Sequence, residues 1–251
     1  MTGRVYRVAP KGNRPSVPKL NLNSAAGCVA ALESPNLSAR YLAWVRLHET
    51  QSKAEKDLLK LWKNGDARMR ARALHLLARL KGKEKEYVQG AIKDKDAGIR
   101  ITGLRIAKAL KLDVIPCVKT LARDPSAQVR RECAIALRHS QSPEAPKLWA
   151  QLASQHDGKD HWYLEALGIG ADKQWDRFFD VWLAAAGDQW NTPAGRDIVW
   201  RSRSSKTPAL LVKIINDKGL SAKERDHYFR SLDFIAGPEK DAALVELLTA
   251  K

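Results

Sequence analysis

Four arginines, Arg40, Arg70, Arg100 and Arg130, recur every 30 residues, and each heads the same pattern. A small residue follows three positions later (Ala43, Ala73, Gly103, Cys133) and an apolar one seven positions later (Leu47, Leu77, Ala107, Leu137). Offsets of three and seven share one face of a helix. Self-similarity at a fixed period constrains the fold more than any short motif does. Each copy is a supersecondary unit too small to bury its own apolar face, so it must stack on its neighbours. A fifth copy, DGKDHWYLEAL, keeps the phase through Leu164 and Leu167 but has Asp160 at the arginine position. Beyond it the phase slips, and TPAGRDIVWRS aligns best through Arg196, 36 residues after Asp160.

Between the copies lie second amphipathic stretches: KAEKDLLKLWKN, KEYVQGAIKD, LDVIPCVKTLARD, EAPKLWAQLASQH and QWDRFFDVWLAAAG. Their apolar residues also recur at three and four, so each unit is predicted as helix, turn, helix, turn. The turns carry NGD, DKD, DPS and HDGKD, in which Asp, Pro and Gly act as caps and breakers. The prediction is an all-α chain. It is a right-handed α-solenoid of HEAT/armadillo-like helical hairpins, about seven of them, over residues 24–251. Residues 1–23 have another character. GRVYRV alternates as a short strand does, and APKGNRPSVPKL, with three prolines, reads as extended linker. A lone strand has no stability of its own, so this segment is expected to be the tail of an upstream sheet domain.

The recurring arginine falls on the first turn of the second helix, where a cation opposes the macrodipole. A partner must hold it: a carboxylate, amide or carbonyl of a turn in the same or the adjacent hairpin, giving a ladder along the array. Binding of phosphate by these four arginines is the other reading.

Lysine and arginine number 44 against 28 acidic residues, a net charge of +16. Such a surface attracts nucleic acid, anionic polymers or acidic proteins, or is a solvated face without a polyanion partner. At offsets +2, +5 and +8 or +9 from the repeat arginine, Arg72, His75, Arg79, Arg105, Lys108 and Arg138, with His139, avoid the core positions. On the second helices they form a basic stripe, interrupted by Glu132 and Glu165, which is the candidate binding surface. Trp162, Tyr163, Trp175, Trp182, Trp190 and Trp200 make the C-terminal half aromatic-rich. They serve either as packing between hairpins or as an aromatic floor on which a base or sugar stacks.

Catalytic and metal signatures are missing from the sequence. No Ser or Cys nucleophile has a recognisable local signature, and no phosphate-cradling glycine loop occurs. His156, Asp157, Asp160 and His161 cluster in sequence, but Asp157-Gly158 reads as a turn and Asp160 as an N-cap, so no metal site or cofactor is predicted. GIG at 168–170 fits a helix C-cap better than a nucleotide loop. Cys28, Cys117 and Cys133 form no CxxC or CxxCH and are read as reduced thiols in or near the core. No run of eighteen apolar residues predicts a membrane span, and MTGRVYRVAPKGNRPSVPKL lacks the apolar stretch of a secretory signal.

GRVYRVAPKG, SPNLSARYLAW, DPSAQVRRECAIALRHS, QHDGKDHWYLEALGIGAD and NTPAGRDIVWRSRS together resemble a known module. It is the HEAT-repeat segment of planctomycete-type secreted proteins, in which a sorbosone/glucose dehydrogenase-like β-propeller precedes the array and a c-type cytochrome domain follows. The resemblance covers nearly the whole chain, with DGKDHWYLEALGIGAD its most specific stretch. It implies that GRVYRVAPKG is the end of a propeller blade, and that the location is periplasmic or secreted. It also implies a non-catalytic scaffold that links or docks a dehydrogenase and an electron acceptor, its partners being a protein or neighbouring domains of the same polypeptide. The family brings no catalytic residues to this segment. The alternative is a basic groove that binds DNA, as in the HEAT-like alkylpurine DNA glycosylases, with Glu165 near Trp162, or Asp197 near Trp200 and Arg201, as the carboxylate. A binder of an acidic polysaccharide or protein would use the same groove residues.

Overall fold

The computed structural model describes residues 8, 10–12 and 19–249. Among the described residues there are fifteen α-helices, two short 3₁₀ helices and no strand, so the described part of the chain is all-α. The strand expected at GRVYRV lies outside the described residues except for Val8, which is exposed and in no regular element. No described helix is long and apolar enough to cross a membrane.

In chain order the helices are α1 (Ala25–Leu32), α2 (Leu37–Thr50), α3 (Ser52–Asn64), α4 (Ala67–Leu77), α5 (Glu84–Ile92), α6 (Ala97–Ala109), α7 (Ile115–Leu121) and α8 (Ala127–Ala136). They continue as α9 (Ala145–Ala153), α10 (His161–Gly170), α11 (Trp175–Ala186), α12 (Pro193–Arg201), α13 (Thr207–Ile215), α14 (Ala222–Phe229) and α15 (Pro238–Thr249). The repeat copies are α2, α4, α6, α8 and α10, and the intervening stretches are α3, α5, α7, α9 and α11.

Turn chemistry sets where the repeat helices begin. Asp66, Asp96 and Asp160 sit extended at the N-caps of α4, α6 and α10, and each accepts a backbone N–H three residues on, from Met69, Ile99 and Tyr163. Their C-terminal ends share a second device. Lys111, His139 and Lys173 adopt left-handed φ of 56°, 62° and 59° just past α6, α8 and α10. That position favours glycine, yet basic side chains hold it, in keeping with the negative pole of each helix.

Packing follows chain order. α1 packs on α2, α3 on α4 and α5 on α6, while α4, α6, α8, α10 and α12 each touch the next of that series. α5, α7, α9 and α11 do likewise, and α11 meets the 3₁₀ turn Gly187–Asn191, which in turn meets α12. A single core cluster runs from Cys28 to Leu232. The small residues at offset +3 lie in it: Ala43, Ala73 and Cys133 are all fully buried. Gly103, the fourth, is where α6 comes so close to α5 that an added Cβ would stand 2.7 Å from the Ala91 Cβ.

The GIG segment is not a C-cap. Gly168 and Gly170 are the last residues of α10 and buried, and neither has a positive φ. They are small because their neighbours come close: a side chain at 168 would strike the Arg201 guanidinium, and one at 170 the Ala134 carbonyl. The left-handed residue that ends the turn is Lys173.

Candidate functional site

Two of the four repeat arginines, Arg70 and Arg100, form rungs between turns. Arg100 donates from Nε and Nη2 to the two carboxylate oxygens of Asp124, at 2.6 and 2.7 Å, and from Nη1 to the carbonyls of Asp94 and Lys95 in its own turn, at 2.8 and 3.0 Å. Arg70 reaches one oxygen of Asp94 through Nη2 alone, donates from Nε to the Trp62 carbonyl at 3.1 Å and lies over the Trp62 ring. Arg40 and Arg130 keep only the bonds to their own turns, at Ser34 and Pro35 and at Asp124 and Pro125. The positions matching Asp94 and Asp124 there are Asn64 and Ser154. Arg130 lies instead over the Tyr163 ring, 5.5 Å from its centroid. Arg196, out of phase in sequence, takes up the pattern again: it donates to Asn191 in its own turn and to Asp217 at 2.6 Å. Phosphate binding by Arg70, Arg100 or Arg196 would require breaking bonds that join one hairpin to the next.

The basic stripe is likewise bonded. Arg105 donates to Glu132 at 2.7 Å and Lys108 to the Ile135 carbonyl at 2.8 Å, tying α6 to α8. Arg138 donates from Nε and Nη2 to Asp172 at 3.1 and 2.7 Å, and the His139 ring stands 3.3 Å from the same oxygen. Arg72 bonds the Leu32 carbonyl at the end of α1, and Arg79 the His75 carbonyl in its own helix at 2.7 Å. Glu132 holds the Arg105 guanidinium above its ordinary pKa, whereas burial pushes Lys108 down. Burial, and then Arg79, lower His75, which makes no side-chain hydrogen bond among the described residues. Arg72, His75, Arg105 and Lys108 lie on α4 and α6, whereas Arg79 and Arg138 fall in the turns just past α4 and α8, and all but His75 are committed to protein acceptors.

The aromatic residues divide. Tyr163 and Trp182 are almost wholly buried, and Trp175 nearly so. Trp200 is partly buried and stacks on His227, with ring centroids 4.7 Å apart. Trp162 is 69% exposed. It forms one wall of a groove of about 490 Å³ across α6, α8 and α10, whose apolar lining is completed by Ile101, Ile135 and Ile169. A second apolar patch on the same helix series lies among Leu37, Tyr41 and Trp44, where Leu37 and Tyr41 are 72% and 64% exposed. The isoleucines escaped the sequence reading because they stand at offsets +1, +5 and +9, one to a repeat. Only the stacking of three hairpins brings them together.

No protein-family model and no curated protein matches the chain.

The carboxylates weighed for DNA chemistry are engaged elsewhere. Both oxygens of Glu165 lie 3.2 Å from the Nε of Arg201, which donates to them. Asp197 stands 3.0 Å from the His156 Nε2, and that imidazole is almost fully buried. His156 therefore turns inward. Asp157 accepts the Lys159 N–H, and Asp160 caps α10, so the sequence cluster does not converge. Among the described residues no three His, Cys, Asp or Glu side chains could share a metal ion.

Proposed function

We propose that this chain is a right-handed α-solenoid of HEAT-like hairpins acting as a non-catalytic protein-interaction module. In that reading it links or docks a dehydrogenase domain and an electron acceptor, as the resemblance to the planctomycete-type redox proteins implies. The solenoid is supported by helix partners that follow chain order and by arginine rungs that pair residues 24 apart. One observation carries the functional reading: Arg105, Lys108 and Arg138 of the basic stripe are bonded to neighbouring hairpins, while the apolar groove at Trp162 is open. A surface built to hold a polyanion keeps its cations free for phosphate. A surface built to hold a protein exposes an aromatic anchor with a polar rim.

The groove-binding alternative draws on the net charge of +16. A fluorescence-anisotropy titration with labelled duplex DNA, at low and at physiological salt, separates the two readings. Absence of binding at both salts is expected. Saturable binding that falls steeply with salt would replace the scaffold reading by a nucleic-acid one. Cross-linking to a soluble c-type cytochrome, abolished by Trp162→Ala, is the positive test of docking.

A further inference from the structure

A second concavity lies away from the Trp162 groove, where the turns after α8, α10 and α12 come together. It has a volume of about 940 Å³, and His139, Asp172, Lys173, Trp175, Arg177 and Arg203 are among the residues that line it. That size suits a small ligand.

Charge is not balanced within it. Asp172 already accepts from Arg138 and His139. Asp176, also on the wall, accepts from the Ser204 hydroxyl at 2.7 Å and from the Ser205 N–H and hydroxyl at 2.7 and 2.9 Å. The other three cations have no such partner. Among the described residues no carboxylate pairs with Lys173, Arg177 or Arg203. Arg177 donates to the carbonyls of Ser140 and Ser142, leaving its Nε unused. Arg203 donates only from Nη1, to the carbonyls of Trp200 and Ser202 at 3.0 and 2.6 Å, leaving Nε and Nη2 unused. Its guanidinium is fixed over the Phe234 ring, 5.0 Å from the centroid. An immobilised guanidinium edge of this kind matches two oxygens of one anion.

We propose that this cleft binds a small oxyanion, the phosphate, sulfate or carboxylate group of a ligand, through Arg203, Arg177 and Lys173. Arg203 supplies the fork, Arg177 closes the second side, and Lys173 gives a mobile point charge at the rim. Trp175 offers an apolar wall for the body of the ligand. The electrostatics agree. Burial and then the neighbouring Arg201 lower the Arg203 pKa to about 10, so the group stays charged at neutral pH in a site that disfavours charge. A bound anion relieves that penalty. Nothing in this assignment depends on the scaffold reading, since the cleft shares no residue with the Trp162 groove.

The test is isothermal titration calorimetry on the whole chain at pH 7 and fixed ionic strength, with inorganic phosphate and citrate as separate probes. Saturable binding of at least one is expected. Phosphate alone assigns a tetrahedral oxyanion, citrate alone a carboxylate ligand, and both a site for either. Arg203→Gln and Lys173→Gln each weaken binding about tenfold, whereas Lys53→Gln on α3 removes the same net charge and leaves it unchanged. Lys173 is exposed in a turn, so its variant keeps the test open even if Arg203→Gln perturbs packing on Phe234. No saturable heat with either probe, or equal weakening in all three variants, overturns the proposal.

Discussion

Arg100 and Asp124, 24 residues apart, meet as a two-pronged ion pair whose side chains are only 12% and 6% exposed. The same aspartate also accepts the Ser126 N–H at 2.9 Å, so one side chain shapes its own turn and anchors the preceding hairpin. Removing one partner leaves an uncompensated, largely buried charge, which costs about 3–5 kcal/mol. Asp124→Ala is therefore expected to lower the urea midpoint sharply. Arg100→Met combined with Asp124→Ala should cost less than the sum of the two single changes. Strict additivity in that cycle would show that the rung carries no coupling energy.

Two glycines on adjacent helices should respond oppositely to the same change. An alanine at 90 meets nothing within 4 Å, whereas one at 103 meets the Ala91 Cβ at 2.7 Å. Gly→Ala within a helix gains about 1 kcal/mol from propensity. Overpacking costs about 1–3 kcal/mol. Gly90→Ala should raise the melting temperature and Gly103→Ala should lower it. An increase in both would mean that α5 and α6 part easily at this contact.

The Arg196–Asp217 rung makes a prediction about acid. Arg196, followed by the Gly219 N–H, holds the Asp217 carboxyl below its ordinary pKa. A depressed folded-state pKa contributes stability that is present above the unfolded value and is lost as pH falls through the folded one. The loss therefore begins below about pH 4. Urea midpoints measured from pH 7 to pH 3 should fall less steeply at the acid end in Asp217→Asn than in the parent chain. Parallel curves would show that the pair is too exposed to matter.

All three cysteines are free and buried, and burial pushes each thiol above its usual range. Thiolate is the reactive form, so the native chain should react slowly with Ellman's reagent and yield three thiols only on unfolding. A fast thiol in the native state would place one of the three at an opening not evident in the fold.

Much of the architecture was legible because one physical constraint was repeated. The arginine period located α2, α4, α6 and α8, and the aspartates before them marked where α4 and α6 begin, since capping is local chemistry. The arginine partners could be described only as a class, because a contact across 24 residues depends on how hairpins stack. The oxyanion cleft was not legible at all. Lys173 and Arg203 stand in two turns and Arg177 on α11, and no local signal separates them from the other lysines and arginines of a chain with 44. The reading of 168–170 failed for a related reason: a glycine needed for close approach looks the same in sequence as one needed for a turn.

Trp162 and Trp149 separate function from stability. Trp149 is fully buried, donates its indole N–H to the Leu167 carbonyl at 3.0 Å and packs edge-on against Trp175. Truncating it opens a cavity and removes one of the two hydrogen bonds to that carbonyl, which keeps the Ala171 N–H at 3.0 Å, so Trp149→Ala should cost about 3–5 kcal/mol. Trp162 is largely in solvent, where substitutions usually change stability by no more than about 0.5 kcal/mol. Trp162→Ala should therefore melt with the parent chain and remove the fluorescence component most accessible to acrylamide. If it melts far lower, the groove around Ile135 and Ile169 is sealed by Trp162 as part of the fold, and the docking reading loses its anchor. If its melting is unchanged and cross-linking to the cytochrome is lost, the exposed indole is the contact that the partner buries.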